Sequence, residues 1–216
     1  MDKIYTYRGN LDFSYEPHRI KLRKVVHYDM LLSTVQLWGQ SYYHFLIEIM
    51  PRLAVAAPLA AQYPDCKILI PSFPKVREFL DFAGFHDHDR FVLYDEGQKY
   101  GYSARVLLLP KATPCGMPSR TSLEALRKLI FKEANKLDTI VLIERTKGSR
   151  ALEGHGLILE ALRASFPQYN VVTFRGSETL ATTRDIFARA AVIVGPHGAG
   201  FANIIFRFEN VLREDI

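Results

Sequence analysis

Residues 191–203 read AVIVGPHGAGFAN. The apolar residues 191–195 are typical of a buried β-strand, and a helical period follows through Asn203 to Phe206. Glycines at positions 195, 198 and 200 between them allow positive φ and let the backbone approach a ligand closely. A strand, a glycine-rich turn and a helix in this order indicate an α/β fold, in which ligands bind beyond the carboxyl ends of the strands.

The same alternation of short apolar runs and helical periods continues back along the chain. Strands are predicted at residues 67–71, 91–94, 105–110, 139–143 and 170–174. Helices are predicted at residues 76–83, 122–135, 156–164 and 178–190, the second of them opening with Thr121 and Glu124 at capping-box spacing. Uninterrupted apolar strands between helices favour mostly parallel sheets covered on both faces.

A fresh series of strands and helices begins at Thr139, after a polar stretch. We therefore place a domain boundary between residues 136 and 137. Residues 1–136 then form an N-terminal domain with its own sheet, and residues 137–216 form a C-terminal domain. Because the chain closes soon after the third strand of that second domain, we expect the C-terminal domain to be short or incomplete.

The composition indicates an ordinary globular protein, with 48% hydrophobic residues and a formal charge of +5. This charge fits a partner that carries phosphates, but it also fits a basic protein with no such partner. Cys66 and Cys115 have neither metal-site nor disulfide spacing. Since residues 1–7 lack a signal-peptide core and no apolar run approaches about 18 residues, we expect a cytoplasmic location.

The turn at residues 195–200 is a candidate anion site. Backbone N–H groups at the start of the following helix, with the helix dipole behind them, attract phosphate oxygens. His197 offers a ring N–H to a phosphate or a sugar hydroxyl, and Asn203 would either tie the turn to the helix or contact the ligand. Arg145, Lys147 and Arg150 follow the strand at 139–143 and would supply cationic donors to a diphosphate.

A helix predicted over residues 42–53 has two distinct faces. Its apolar face is formed by Phe45, Leu46, Ile49, Met50 and Leu53. His44, Glu48 and Arg52, spaced by four, lie on the opposite face, either as an exposed ion-pair stripe or as acid–base groups. Pro51 removes one backbone hydrogen bond and should bend the helix.

These three segments, in this order, resemble glycosyltransferase family 61. Residues 195–203 resemble its G-x-H-G-A-G-x-x-N signature, and residues 42–53 resemble its Tyr-His-aromatic-Leu…Glu…Pro-Arg-Leu segment. Arg145 and Arg150 match the two arginines that follow a strand in that family. Glu144 stands where the family usually has serine.

The resemblance implies two Rossmann-like domains of the GT-B type and inverting transfer of a hexose or pentose. The donor would be a nucleotide-sugar, of the UDP type, and the acceptor a hydroxyl of a glycan or glycoconjugate. The implied donor-binding residues are Arg145, Lys147, Arg150, His197, Gly198, Ala199, Gly200 and Asn203. His44 or Glu48 would be the catalytic base, with His44 favoured because its ordinary pKa lies near neutrality. Neither a metal nor a cofactor is implied.

Other interpretations stay open at this point. Asp87-His88-Asp89 has the Asp-x-Asp form of metal-dependent glycosyltransferases, but it lies in a short acidic turn of a common kind. A short C-terminal domain would also suit a non-catalytic relative that binds a glycan or nucleotide. The chain lacks the G-x-G-x-x-G pattern of dinucleotide enzymes, and its aromatic residues are not interleaved with basic ones as in nucleic-acid binding proteins.

Overall fold

A computed structural model of the protein describes residues 22–36, 38–110, 115–131, 136–146, 148 and 150–207. The chain divides into two compact units, the first ending at Leu129 and the second beginning at Ile130. Each unit has its own sheet, and all strand pairs in both sheets are parallel. The predicted α/β class with parallel sheets is therefore confirmed.

The first unit has a four-stranded sheet. Its strands are β1 (Lys24–Ser33), β2 (Lys67–Pro71), β3 (Phe91–Tyr94) and β4 (Tyr100–Leu108). Its helices are α1 (Tyr42–His44), α2 (Met50–Gln62), α3 (Val76–Phe82) and α4 (Arg120–Ile130), whose last residue opens the second unit. The strand order β3-β2-β1-β4 is that of the first four strands of a doubly wound nucleotide-binding sheet.

Strand β1 was not predicted, although it lies between β2 and β4 in the sheet. Its apolar pattern is interrupted by His27 and Asp29, which are both exposed. Only its carboxyl end is in the core, where Leu31 and Leu32 are almost fully buried. The strand pairs with β4 along most of its length. Because its first half contains polar, exposed residues, it is not a continuous apolar run of the kind used to predict the other strands.

A continuous helical stretch, Tyr42–Gln62, packs into the first unit. It consists of α1, a π-helical turn at Phe45–Ile49, and α2. Pro51 lies in the first turn of α2, where a missing N–H is tolerated, and the wider turn precedes it. The length and composition of Tyr42–Gln62 would also suit a membrane span, but 67% of its apolar window is buried inside the protein, as in a core helix.

Residues 45–54 of this stretch are buried all round, which excludes the alternative of an exposed ion-pair stripe on the polar face. Phe45 and Leu53 are buried as expected. Glu48 and Arg52, however, are only 2% and 8% exposed, so they do not form a solvated ion-pair stripe. Phe45 stacks on Phe73 with ring centroids 4.7 Å apart and fixes the helix against the neighbouring loop.

The second unit has a three-stranded sheet in the order β6-β5-β7. Its elements are β5 (Thr139–Ile143), α5 (His155–Ser165), β6 (Asn170–Phe174), α6 (Leu180–Ala188), β7 (Ala190–Val194) and a 3₁₀ helix (Ala199–Phe206). Every residue of β5 is buried. The expectation that both faces are covered fails at the edge strand β7, where Val192 is 45% exposed.

Several predicted boundaries and caps were wrong. The segment after β7 is a 3₁₀ helix and not an α-helix. Helix α4 spans Arg120–Ile130, whereas the prediction was residues 122–135. Residues 132–135 lie outside the described part of the chain. Its cap is Ser119, whose Oγ accepts the N–H of Ser122 at 3.2 Å, and Glu124 pairs with Arg120, so the predicted Thr121–Glu124 capping box does not form.

Arg90 closes the carboxyl end of α2. Its Nη2 donates to the carbonyl oxygens of Ala60, Tyr63 and Cys66 at 2.9, 3.0 and 3.2 Å. The last carbonyls of a helix have no partner within the helix, and a cation there is also favoured by the helix dipole. A single half-buried side chain thus joins α2 to the start of β2.

We predict that Arg90→Ala lowers the free energy of unfolding by about 1.5–3 kcal/mol, because it removes the hydrogen bonds by which one charged donor joins the carboxyl end of α2 to the start of β2. Arg105→Ala is the control. Arg105 makes a two-point ion pair with Asp29, but both side chains are at least 70% exposed, so its loss should change stability far less. Urea unfolding followed by circular dichroism compares the two; equal losses would contradict the role of Arg90.

Candidate active site

Glu48 is a buried carboxylate in the π-helical turn of the first unit, and its side chain has no exposed surface. Oε1 accepts the backbone N–H of Gly116 at 2.6 Å. Oε2 accepts the side-chain amide of Gln36 and faces Nδ1 of His44 at 2.9 Å. Both oxygens are therefore held by donors, as burial of a carboxylate requires.

His44 is the group of this set that reaches the surface, with its side chain 20% exposed. A carboxylate at Nδ1 favours the tautomer that carries its proton there, which leaves Nε2 as a hydrogen-bond acceptor. The ring of Tyr43 meets the imidazole edge-on at 5.1 Å between centroids. The imidazole is thus oriented from two sides while Nε2 keeps its lone pair.

Arg52 connects to Glu48 through Gln36. Its Nη2 donates to Oε1 of Gln36, and its Nη1 donates to the carbonyl oxygens of Thr34 and Val35, each at 3.4 Å. Burial lowers the pKa of Arg52, and the negative charge of Glu48 opposes that shift. The amide of Gln36 is thereby fixed with its NH₂ toward Glu48. The buried carboxylate of Glu48 and the buried guanidinium of Arg52 are thus linked through one intervening side chain.

Cys115 completes what we call the histidine–glutamate cluster, formed by Gln36, His44, Glu48, Arg52, Cys115 and Gly116. Its Sγ lies 3.6 Å from Nδ1 of His44. Burial, and next the charge of Glu48, raise the pKa of this thiol. The ligand atoms of His44, Glu48 and Cys115 all lie within 4.8 Å of one another, which makes them the one group in the described part of the chain with metal-site geometry.

In the second unit two predicted arginines meet the glycine-rich turn. Nη1 of Arg145 donates to the carbonyl oxygen of His197 at 3.2 Å, and Nη1 of Arg150 donates to the same oxygen at 3.1 Å. Arg145 follows β5 directly, and the turn follows β7, its neighbour in the sheet. Because parallel strands end at one edge, the two segments come together there. We call Arg145, Arg150 and residues 197–200 the arginine–glycine turn.

His197 has its tautomer set by Arg150. Nη1 of Arg150 lies 2.9 Å from Nδ1 of the imidazole. A guanidinium is a donor only, so Nδ1 accepts and the ring proton is on Nε2. The exposed ring therefore presents an N–H to solvent, which is the donor predicted for a phosphate or a sugar hydroxyl.

The glycines of the turn are needed for close packing, and they do not use the positive φ that glycine allows. None of Gly195, Gly198 and Gly200 adopts the left-handed conformation, and Gly198 is extended at φ 166°. A Cβ at Gly195 would lie 2.6 Å from Cβ of Ile143, and one at Gly198 would lie 2.7 Å from Nη1 of Arg145. The turn therefore carries glycine because the end of β5 and Arg145 lie against it.

The remaining predicted donor-binding residues fall in different positions. Asn203 is fully buried and donates to the carbonyl oxygen of Gly200 at 2.9 Å, so it ties the turn to the 3₁₀ helix. Ala199 and Gly200 open that helix, where N–H groups lack partners within the helix. Lys147 lies outside the described residues.

Asp87 and Asp89 do not form a metal site with any third group in the described part of the chain. Asp87 precedes a 3₁₀ turn, His88–Arg90, and Asp89 lies within it. The nearby histidines, His86 and His88, both pair with Asp81. The Asp-x-Asp pattern thus marks a surface turn, as the alternative interpretation had it.

We predict that Gly195→Ala destabilises the second unit, because the added Cβ meets the Cβ and backbone of Ile143, which cannot move without disturbing β5. Gly198→Ala is the matched variant: its Cβ meets only the end of the Arg145 side chain, so the fold should persist while Arg145 shifts. Thermal unfolding compares the melting temperatures of the two variants. A melting temperature for Gly195→Ala no lower than for Gly198→Ala would contradict this account.

Comparison with curated proteins gives no match for the chain. A family model does match. Residues 42–212 fit the model for Glycosyltransferase 61, and this range includes His44, Glu48 and the whole arginine–glycine turn. Because the match covers most of the chain, the protein belongs to glycosyltransferase family 61, and its chemistry is glycosyl transfer between a donor and an acceptor substrate.

Proposed function

We propose that the chain transfers a hexose or pentose from a nucleotide-sugar, of the UDP type, to a hydroxyl of a glycan or glycoconjugate, with inversion and without a required metal. The second unit holds the donor and the first unit supplies the base. In this proposal each unit is a Rossmann-like domain of a GT-B enzyme. The observation that carries the proposal is the convergence of Arg145 and Arg150 on the glycine-rich turn.

The arginine–glycine turn suits the diphosphate of a donor. Two guanidinium groups bind one carbonyl oxygen there, which brings two positive charges close together. An anion placed beside them relieves that repulsion and accepts charge-assisted hydrogen bonds. The Nε2–H of His197 and the first N–H groups of the 3₁₀ helix add neutral donors. The strand-end position of the turn is the usual ligand position of an open α/β sheet.

The histidine–glutamate cluster suits a general base. Inverting transfer needs one group that removes the proton of the acceptor hydroxyl as its oxygen attacks the anomeric carbon. Nε2 of His44 takes that proton, and Glu48, acting through Nδ1–H, stabilises the resulting imidazolium. Glu48 itself has both oxygens occupied by donors and no exposed surface, so we assign it as the positioning residue and His44 as the base.

In the proposed step one bond forms and one breaks. The acceptor oxygen bonds to the anomeric carbon while the bond from that carbon to the phosphate oxygen breaks. The leaving nucleotide keeps the electron pair, and its added negative charge lies where Arg145 and Arg150 donate. Fixed cationic donors of this kind stabilise developing charge without reorganising, which is why no metal is required in the proposal.

We predict that Arg150→Lys weakens UDP binding by about 10–100-fold, since a lysine keeps the charge but loses the planar donors that hold both the phosphate and His197. Arg175→Lys is the control, because Arg175 lies in the same unit but pairs with Glu144 at 2.8 Å. Calorimetric titration with UDP and UDP-sugars measures both. Equal affinities for the two variants would remove the arginine–glycine turn from donor binding.

We predict that His44→Ala lowers kcat by about 10²–10⁴-fold, as expected for loss of a general base, while the affinity for UDP is unchanged. Glu48→Gln should also lower kcat, because an amide cannot accept from three donors at once. His27→Ala, an exposed histidine of the same unit, should keep full activity. The measurement is transfer from the nucleotide-sugar that binds best, and normal turnover of His44→Ala would exclude it as the base.

The same assays separate the runner-up function. A non-catalytic relative would bind UDP or a glycan through the arginine–glycine turn without turning over any nucleotide-sugar. Binding that depends on Arg150, with neither transfer nor hydrolysis under any donor and acceptor combination, would therefore replace the enzymatic proposal by that binding function.

A further inference from the structure

His44, Glu48 and Cys115 bring three different kinds of ligand atom to one place in the first unit. Nδ1 of His44 lies 2.9 Å from Oε2 of Glu48 and 3.6 Å from Sγ of Cys115. The three ligand atoms are all within 4.8 Å of each other. Glu48 and His44 come from the Tyr42–Gln62 helix, whereas Cys115 comes from the loop that follows β4, 71 residues after His44.

An imidazole nitrogen, a thiolate sulfur and a carboxylate oxygen form a donor set that suits zinc. Zn²⁺ binds these ligands at about 2.0–2.3 Å in tetrahedral geometry, so the ligand atoms around it lie within the range of separations seen here. A thiolate and an imidazole favour zinc over magnesium or manganese, which prefer oxygen ligands. Three protein ligands leave the fourth position to water.

The surroundings also favour a cation between these groups. Oε2 of Glu48 carries negative charge toward both His44 and Cys115, and Gln36 holds the carboxylate in that position. Cys115 is exposed and His44 is partly exposed, which gives an ion a path from solvent. His44 and Glu48 lie one turn apart on the same helix, and the loop after β4 brings Cys115 to them.

We propose that His44, Glu48 and Cys115 form a zinc-binding site that inhibits the enzyme. When Zn²⁺ binds, Cys115 loses its thiol proton to solvent, and the proton of the His44 ring moves from Nδ1 to Nε2. Nδ1, Sγ and Oε2 then bind the metal. No oxidation or reduction occurs, and one proton is released for each zinc ion bound.

Inhibition follows from the position of that ring proton, and this part rests on the proposed function. With zinc at Nδ1, Nε2 carries the proton and has no lone pair with which to accept one from the acceptor hydroxyl. Glu48 is bound to the metal and no longer orients the ring. The zinc ion therefore competes with catalysis directly, and the metal is an inhibitor of a reaction that does not require one.

Cobalt gives a readout that does not depend on activity. We predict that the untagged, metal-free chain binds one Co²⁺ with the visible bands of a tetrahedral site and a thiolate charge-transfer band in the near ultraviolet, and that one equivalent of Zn²⁺ abolishes both. Cys115→Ser should lose the charge-transfer band and weaken binding by at least about tenfold. Cys115→Ser keeps Cys66, which is buried. A thiolate band that persists in this variant would come from a cysteine other than Cys115 and would overturn the proposal.

His27→Ala is the control for the imidazole ligand and should leave the cobalt spectrum unchanged, whereas His44→Ala should weaken binding by at least about tenfold. The ratio of transfer rates with and without zinc is then measured for the wild-type chain and for Cys115→Ser. The zinc concentration that halves the transfer rate should be at least about tenfold lower for the wild type than for Cys115→Ser.

The two proposals fail separately. Cobalt binding through Cys115 in a chain that transfers no sugar would leave the metal site intact and overturn the proposed function. Transfer that depends on His44 but is insensitive to zinc, together with a cobalt spectrum lacking the thiolate band, would overturn the metal site and leave the function.

Discussion

The first unit is organised around the buried carboxylate of Glu48. Removing an ionised carboxylate from water carries a penalty of several kcal/mol even after the protein relaxes, so the fold must provide it with donors. Gly116 supplies one from the loop after β4, Gln36 supplies one from the segment that follows β1, and His44 supplies one from the preceding turn of the helix. Three separate parts of the chain are thus drawn to one point.

The need to stabilise the buried carboxylate of Glu48 also explains the positions of Arg52 and Gln36. Arg52 is buried among the carbonyl oxygens of Thr34 and Val35 and turns the amide of Gln36 toward Glu48. A buried guanidinium and a buried carboxylate compensate each other, although an amide separates them. The π-helical turn that carries Glu48 ends at Ile49, two residues before Pro51, where the regular helical bonding pattern would be interrupted in any case. Irregular backbone and buried charge therefore occur at the same position.

The second unit is organised by the close contact between the end of β5 and the turn that follows β7. Gly195 lies against Ile143 and Gly198 lies against Arg145, so the end of β5 and the turn after β7 are in van der Waals contact. That contact delivers Arg145 to the carbonyl oxygen of His197, which Arg150 reaches as well. Glu144 precedes Arg145 in sequence, and its carboxylate pairs with Arg175 at 2.8 Å.

Sequence patterns predicted the parts of this protein in which local chemistry and final environment agree. Strands such as β5 are apolar throughout and buried throughout, and the arginine and glycine segments lie at strand ends, where topology alone brings them together. β1 was missed because its polar half is exposed. Gln36, Cys115 and Gly116 were missed because a glutamine, a lone cysteine and a glycine in a loop carry no spacing signal; only the long-range fold places them beside Glu48. The last helix was taken for an α-helix because a segment of eight residues has too few turns to separate an α-helix from a 3₁₀ helix.

The histidine–glutamate cluster also shows why a good base and a metal ligand are difficult to keep apart. A carboxylate that holds the proton of an imidazole at Nδ1 makes Nε2 basic, and the same carboxylate and nitrogen would bind a cation if that proton left. In this cluster the thiol of Cys115 determines which state prevails. Burial and Glu48 raise its pKa, so at neutral pH the sulfur keeps its proton and a metal must displace it. Metal affinity then falls as pH falls, and the imidazole is left to act as a base whenever free zinc is scarce.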